Sequence, residues 1–177
     1  MGTWTTLVLG GARSGKSALA ERLAGAGVDE VCYLATGPEP DGSDRQWADR
    51  LEAHRLRRPR QWRTVEVGAG GDLAGWLRHE PDPVLVDSLG GWLAESPAME
   101  VDVDGLCQVL VERAARRRRT VLVGEEVGLG VHPPTVVGRQ FRDALGQLNQ
   151  AVAAVSDRVL LVVAGRVLPL ERFEEQW

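Results

Sequence analysis

The sequence predicts an α/β fold in a single domain: a mostly parallel sheet with helices on both faces. Three observations carry that expectation. Gly10-Gly11-Ala12-Arg13-Ser14-Gly15-Lys16-Ser17 fits the phosphate-loop pattern G-x-x-x-x-G-K-[ST] at every fixed position. A β-rich stretch precedes it and a helix-forming one follows, which is the context the pattern requires. Further along, apolar β-type runs alternate with helical ones, with no repeat or low-complexity linker between them. Together these specify a P-loop NTPase-like, RecA-like sheet across residues 1–177.

Taken in order, Thr5–Leu9 is β-rich and leads into the loop, and Ser17–Ala24 reads as helix from its Ala, Leu, Glu and Arg content. Strands are expected at Glu30–Ala35, Trp62–Val67, Val84–Asp87, Thr120–Val123 and Arg158–Ala164. Several of these are nearly continuous Val/Leu runs, as strands buried on both faces must be. Helices are expected at Asp44–Arg57, Asp72–Arg78, Val103–Arg117 and Gly138–Val155. In the first of these, Trp47, Leu51 and His54 share one face, and Pro59 stops the helix.

The 177 residues are enough to bury a substantial core, and no apolar run approaches the ~20 residues that span a bilayer. No signal peptide is visible, so the expected setting is cytoplasmic. Cys32 and Cys107 lie in apolar segments and read as reduced core residues. A formal net charge of −4 and a pI near 5.4 argue against an extended nucleic-acid surface. Arg116-Arg117-Arg118-Arg119 is a local exception, read as the solvated end of a helix whose dipole it complements.

Lys16 is the sole lysine, and the other 20 of the 21 basic side chains are arginine. A bias toward arginine has spared the one position where a compact ammonium must reach between two phosphates. Backbone N–H groups of Gly11 to Ser17 can wrap a phosphate at the positive end of the following helix, with the Ser17 hydroxyl on Mg²⁺. Asp87 ends an apolar strand in the Walker B manner and could hold the same Mg²⁺. Glu125 and Glu126, after Thr120–Val123, are a second candidate for that acidic role, although Glu-Glu at a strand end is more often just exposed charge. Thr36 and Gly37 follow a third strand end, before an irregular Pro38–Ser43 segment that could cover a nucleotide. His54 by itself reads as a half-buried packing residue. Arg55, Arg57 and Arg58 beside it make a triphosphate clamp plausible, and a neutral imidazole is a competent nucleophile toward phosphorus.

At this level of detail the chain resembles the bifunctional adenosylcobinamide kinase and adenosylcobinamide-phosphate guanylyltransferase family of cobalamin nucleotide-loop assembly. The likeness covers almost the whole chain. It includes the loop in the form GGARSGKS, Tyr33-Leu34-Ala35-Thr36, and R-L-x-x-H-R-x-x-R-P-x-x-W-x-T-x-E from Arg50 to Glu66. It continues through Val84–Asp87, Glu126-Val127-Gly128-Leu129-Gly130, Arg139–Asp143 and Gln147–Gln150. The resemblance implies that His54 attacks the α-phosphorus of GTP, releases pyrophosphate and carries GMP to phosphorylated cobinamide. It implies nucleotide contacts at Gly10–Ser17 (Gly10, Gly11, Ala12, Arg13, Ser14, Gly15, Lys16, Ser17), Ala35, Thr36, Gly37, Arg55, Leu56, Arg57, Arg58, Glu66 and Asp87.

In that reading Glu66 and Asp87 are candidates for the N1 and N2 groups of guanine, so Asp87 has two possible roles, base or Mg²⁺. The kinase half-reaction would move a γ-phosphoryl group from ATP or GTP to the aminopropanol hydroxyl of adenosylcobinamide. No general base for that hydroxyl is identifiable in the sequence. A homo-oligomer, a trimer by resemblance, is implied. Ala53, Gly124-Glu125 and Asp87 depart from residues common in the family, and none removes the loop or the nucleophile. The rival readings are a P-loop small-molecule kinase with no nucleotidyl transfer and a nucleic-acid-dependent RecA-like ATPase. Acidic net charge weighs against the second.

Overall fold

The computed structural model describes residues 2–38, 45, 49, 52, 55–68, 70–80 and 83–172. Among these residues seven strands form one sheet. They are β1 Thr5–Gly10, β2 Cys32–Ala35, β3 Arg63–Glu66, β4 Val84–Asp87, β5 Thr120–Glu125, β6 Arg158–Val163 and β7 Arg166–Leu170. Their order across the sheet is β3-β2-β4-β5-β1-β6-β7, all parallel except β7, which pairs antiparallel with β6. β5 therefore lies between the phosphate-loop strand β1 and the acidic strand β4, which is the RecA-like arrangement.

The described helices are α1 Lys16–Ala24, α2 Leu73–His79, α3 Leu89–Glu95, α4 Val103–Ala115 and α5 Val136–Val155, with a 3₁₀ turn at Pro97–Met99. Alternation along the strands explains why they read as unbroken apolar runs. Leu7, Leu9, Leu34, Val84, Val86 and Leu122 face one way, against Leu77 of α2, Trp92 of α3, Leu110 of α4 and Leu148 of α5. Val8, Tyr33, Leu85, Val121 and Val123 face the other way, against Ala20 and Ala24 of α1. A strand buried on both sides has no position for a polar residue in its middle.

The helices start where short polar side chains stop the preceding loop. Asp72, Ser88, Asp102 and Thr135 each accept a hydrogen bond from the backbone N–H three residues on, at Gly75, Gly91, Gly105 and Gly138. The Thr135 cap explains why α5 begins at Val136, two residues before the expected start.

Several expectations are corrected. β2 and β3 are shorter than expected, and β5 runs two residues further, to Glu125. α3 was not anticipated, because Gly90-Gly91 obscures its helical pattern. β7 was missed as well. Ala164 (φ 49°) and Gly165 (φ 72°) make a two-residue hairpin turn with both residues left-handed, and the chain returns as an edge strand that tolerates Pro169. The arginine run is not simply a solvated helix end. α4 stops at Ala115, and Arg119 turns back to donate to the carbonyls of Ala24 and Ala26 at 3.0 and 2.6 Å, closing the C-terminal end of α1. The expected Asp44–Arg57 helix lies largely outside the described residues, as do Trp47, Leu51, Ala53 and His54; residues 55–57 are helical.

Candidate nucleotide site

The carboxyl ends of the parallel strands gather the chemistry. β1 ends at Gly10, and α1 begins six residues later at Lys16. Gly10 is required by close approach: a Cβ there would sit 2.5 Å from Ser14 Oγ and 2.7 Å from the Val162 carbonyl oxygen. Gly15 takes the left-handed conformation, φ 99°, immediately before the helix. The hairpin between β6 and β7 braces the loop, since Gly165 N–H donates to the Ser14 carbonyl at 2.9 Å.

No side chain caps α1, whereas α2 to α5 each carry a side-chain cap. Apart from a long hydrogen bond from the Lys16 N–H to Ser14 Oγ at 3.4 Å, the first N–H groups of the helix after the phosphate loop are left for an external acceptor. An uncapped N-terminus of this kind, ringed by loop amides, is an anion receptor. Lys16 Nζ lies 3.5 Å from the Gly11 carbonyl, folded over the same loop.

Asp87 stands at the end of β4. Its Oδ2 accepts the Tyr33 hydroxyl at 2.8 Å, and Tyr33 lies under the Arg58 guanidinium, 3.6 Å from the ring centroid. Burial first, then the Asp87 charge, pushes the Tyr33 phenol far above its ordinary range, so it remains a donor. Tyr33 thus couples the arginine run to the Asp87 carboxylate. Arg58 also donates to Thr64 Oγ1 at 2.9 Å.

Arg57 pairs with Glu21 on α1 through Nε and Nη2, at 3.3 and 3.1 Å. Arg55 lies 3.8 Å from Glu66 at the end of β3. Leu56 is exposed. Following β2, Thr36 donates its hydroxyl to the Ser88 carbonyl, and the backbone of Gly37 packs on Gly91. Thr36 and Gly37 are therefore brought against α3, beside Asp87.

Glu125 differs most from expectation. Of its two expected readings, exposed charge fails, because the β5 end carries Glu125 into the site. Its Oε2 accepts the Gly90 N–H at 3.0 Å. Burial raises its pKa above the ordinary glutamate range, while a hydrogen bond from Ser88 and the nearby Lys16 charge oppose that rise. Glu126 instead accepts its own loop's Gly128 N–H at 2.7 Å, and its backbone N–H donates to the Gly10 carbonyl at 3.1 Å. Asn149 of α5 is buried and donates to the Glu125 carbonyl at 3.0 Å, which anchors the strand end from the face that α3 also covers.

Sequence reasoning gave no site-building role to Tyr33 or Asn149 and left Glu125 as a secondary candidate. Two left a signal: Tyr33 is the sole tyrosine, and Asn149 is a polar residue on the core-facing helix stripe of Leu145, Leu148 and Val152. Both cysteines are free; Cys32 is buried as expected and Cys107 only partly so.

Among the described residues no cluster of three or more His, Cys, Asp or Glu side chains could cage a metal. Mg²⁺ takes one or two protein oxygens and completes its shell with phosphates and water. The oxygen donors Ser17 and Asp87 are of the right kind. No helix among the described residues is long and apolar enough to cross a membrane.

A phosphate loop feeding an uncapped helix, with a carboxylate strand two places away in a RecA-like sheet, defines a nucleotide-using P-loop protein. Comparison with known proteins narrows the class. Residues 6–170 match the family described as cobinamide kinase / cobinamide phosphate guanyltransferase. The chain is 40% identical to the bifunctional adenosylcobalamin biosynthesis protein CobP of Pseudomonas aeruginosa over 174 residues, covering 93% of this chain and 96% of the relative. It is 37% identical to the bifunctional adenosylcobalamin biosynthesis proteins CobU of Salmonella typhimurium and of Escherichia coli, each over 178 residues, 90% of this chain and 95% of the relative. The chain belongs to the cobinamide kinase / cobinamide phosphate guanyltransferase family and is an enzyme of that bifunctional class.

Proposed function

We propose that the chain works in adenosylcobalamin assembly as one domain spanning residues 1–177, phosphorylating adenosylcobinamide with ATP or GTP and then converting the product to adenosylcobinamide-GDP with GTP. Family membership over nearly the whole chain supports both half-reactions. The single observation that carries the nucleotide chemistry is the uncapped start of α1 behind a complete phosphate loop.

In phosphorylation, Gly10 to Ser17 hold the triphosphate, and Lys16 offsets charge on its β- and γ-phosphates. Ser17 and Asp87 would hold Mg²⁺, which supplies charge neutralisation at the phosphates. In guanylyl transfer, a ring nitrogen of His54 attacks the α-phosphorus. An N–P bond forms, the P–O bond to pyrophosphate breaks, and its electron pair leaves with pyrophosphate. A phosphate oxygen of the phosphorylated substrate then attacks the same phosphorus and expels the imidazole. Arg55 and Arg58 supply positive charge beside this step, and Glu66 accepts hydrogen bonds from guanine. With Tyr33 already on one oxygen of Asp87, that carboxylate suits a fixed metal ligand better than a base-recognition group. A homotrimer would complete the corrinoid site with a neighbouring subunit.

The test is incubation with Mg²⁺ and GTP labelled at the α-phosphate, followed by denaturation, for the wild type and His54→Ala. Acid-labile, base-stable label on the wild type alone is the expected result. No label on either protein, with no pyrophosphate released, refutes the transferase mechanism.

A further inference from the structure

The segment from the end of β5 into the first turn of α5 holds five large apolar side chains in solvent: Val127, Leu129, Val131, Val136 and Val137. Leu129 is 81% exposed and Val131 96%, so neither is needed by the core. A helix that links two parallel strands starts where the first strand ends, so this segment lies at the carboxyl edge of the sheet, the edge of the phosphate loop. Its first residue touches that loop, since Glu126 N–H donates to the Gly10 carbonyl at 3.1 Å.

The apolar groups stand on a fixed scaffold. Arg139 donates to the carbonyls of Pro133 and Pro134 at 3.2 and 3.1 Å, and Arg142 Nη1 lies 2.8 Å from His132 Nδ1. The Glu126 carboxylate accepts the Gly128 N–H at 2.7 Å. Polar side chains thus hold the segment together, while its leucine and valines project from it. Glu126–Gly130 and Arg139–Asp143 are among the stretches on which the family resemblance rests.

Resting on the phosphorylation reading above, we propose that this segment is the chain's own share of the corrinoid surface, with Leu129 and Val131 packing against the macrocycle of adenosylcobinamide. The hydroxyl to be phosphorylated hangs from the macrocycle on a short arm. When that hydroxyl meets the γ-phosphate, the ring must therefore rest on the rim of the phosphate site. A corrin is a flat macrocycle edged with methyl groups and short amide arms. Its methyl groups gain from an apolar rim, and backbone groups of the loop can meet its amides. An apolar patch that is exposed, braced and continuous with a reaction site is the expected form of such a surface. The other exposed apolar stretch, Val167, Leu168 and Leu170 on β7, does not fit the same use. That strand runs antiparallel to β6 and so leads from its turn at Gly165 away from the phosphate loop.

The experiment compares wild type with the double variant Leu129→Ser, Val131→Ser. Equilibrium dialysis against adenosylcobinamide, followed by its visible absorbance, reads corrinoid binding. Dialysis against GTP reads the nucleotide site, and sedimentation reads assembly. The expected result is corrinoid affinity about 100-fold weaker, as follows from removing buried hydrocarbon at two positions. GTP affinity within about threefold of wild type and an unchanged sedimentation profile complete the expectation. Corrinoid affinity within threefold of wild type overturns the proposal. So does parallel loss of GTP binding, which would make the segment a builder of the nucleotide site. A dissociated assembly overturns it too, because the patch would then be a contact between copies of the chain. Should the double variant not fold, Val131→Ser alone carries an expected loss of about tenfold and the same refutations. Wild-type protein that neither binds nor phosphorylates cobinamide refutes the substrate reading instead, and that control is read before any variant is compared.

Discussion

Gly90→Ala separates the stability of the site from its alignment. The added methyl carbon would lie 2.2 Å from Glu125 Oε2 and 3.0 Å from its Cδ, so the carboxylate must withdraw by about 1 Å to reach ordinary contact. Withdrawal breaks the 3.0 Å hydrogen bond from Gly90 N–H, an interaction with a charged acceptor worth about 1.5–3 kcal/mol. Against this, alanine inside α3 is about 1 kcal/mol better than glycine in helix propensity. The two effects nearly offset, leaving a net loss of about 1 kcal/mol and a Tm lower by about 2–4 °C.

Alignment has no such offset. A displacement of about 1 Å in a group that lines the site costs on the order of 100-fold in rate. The expected outcome is therefore a folded protein that phosphorylates cobinamide about 100-fold more slowly. Differential scanning calorimetry and a γ-label transfer assay on the same preparation check it. Wild-type phosphorylation at a slightly lowered Tm would refute the reasoning, because it would mean that the position of Glu125 does not matter to the reaction.

Other predictions concern the loop, the core and pH. Lys16→Arg should lower phosphorylation by about 100-fold or more while Tm stays within about 2 °C, since a wide planar guanidinium cannot occupy the place of a compact ammonium; steady-state kinetics and a melting curve test it. Arg113→Ala should cost about 4 kcal/mol, or about 8–16 °C in Tm. Arg113 is 2% exposed and donates to Thr120 Oγ1 at 2.8 Å, to the Leu77 carbonyl at 2.7 Å and to the carbonyls of Glu80 and Arg119, acceptors that the variant leaves stranded. The Cys32 thiol is pushed from 9.0 up to about 11, mainly by burial and then by the Glu80 charge. Because its folded pKa is raised, its contribution is intact below about pH 9 and is lost as pH rises through about 11. Urea titrations of wild type against Cys32→Ala across that window should therefore show about 2 kcal/mol of extra pH-dependent loss in the wild type.

Legibility followed the range of the interactions. The phosphate loop was readable because its chemistry is local: eight consecutive residues carry the glycines, the ammonium and the hydroxyl, and the flanking strand and helix are contiguous with them. The strand Val84–Asp87 kept its expected bounds for the same reason. α3 was hidden because Gly90 and Gly91 lower its helix propensity, and both are glycine for tertiary reasons. One makes room for Glu125 and the other for the backbone of Gly37. β7 was hidden because an edge strand needs no apolar alternation and its turn is only two residues long.

Glu125 and Glu126 could not be told apart because two adjacent glutamates at a strand end look alike in sequence. Only the register of β5 against β1 sends one of them into the site and the other into its own turn. The sequence by itself determined the fold class, the phosphate loop and, through motifs spread along the chain, the family. Those depend on residue types at short spacings and on periodicity. The tertiary structure decided which helix remains uncapped, which carboxylate Tyr33 binds, and which glutamate lies beside Lys16. Each of these is a contact between segments far apart in the chain, and its energy exists only once the sheet has brought them together.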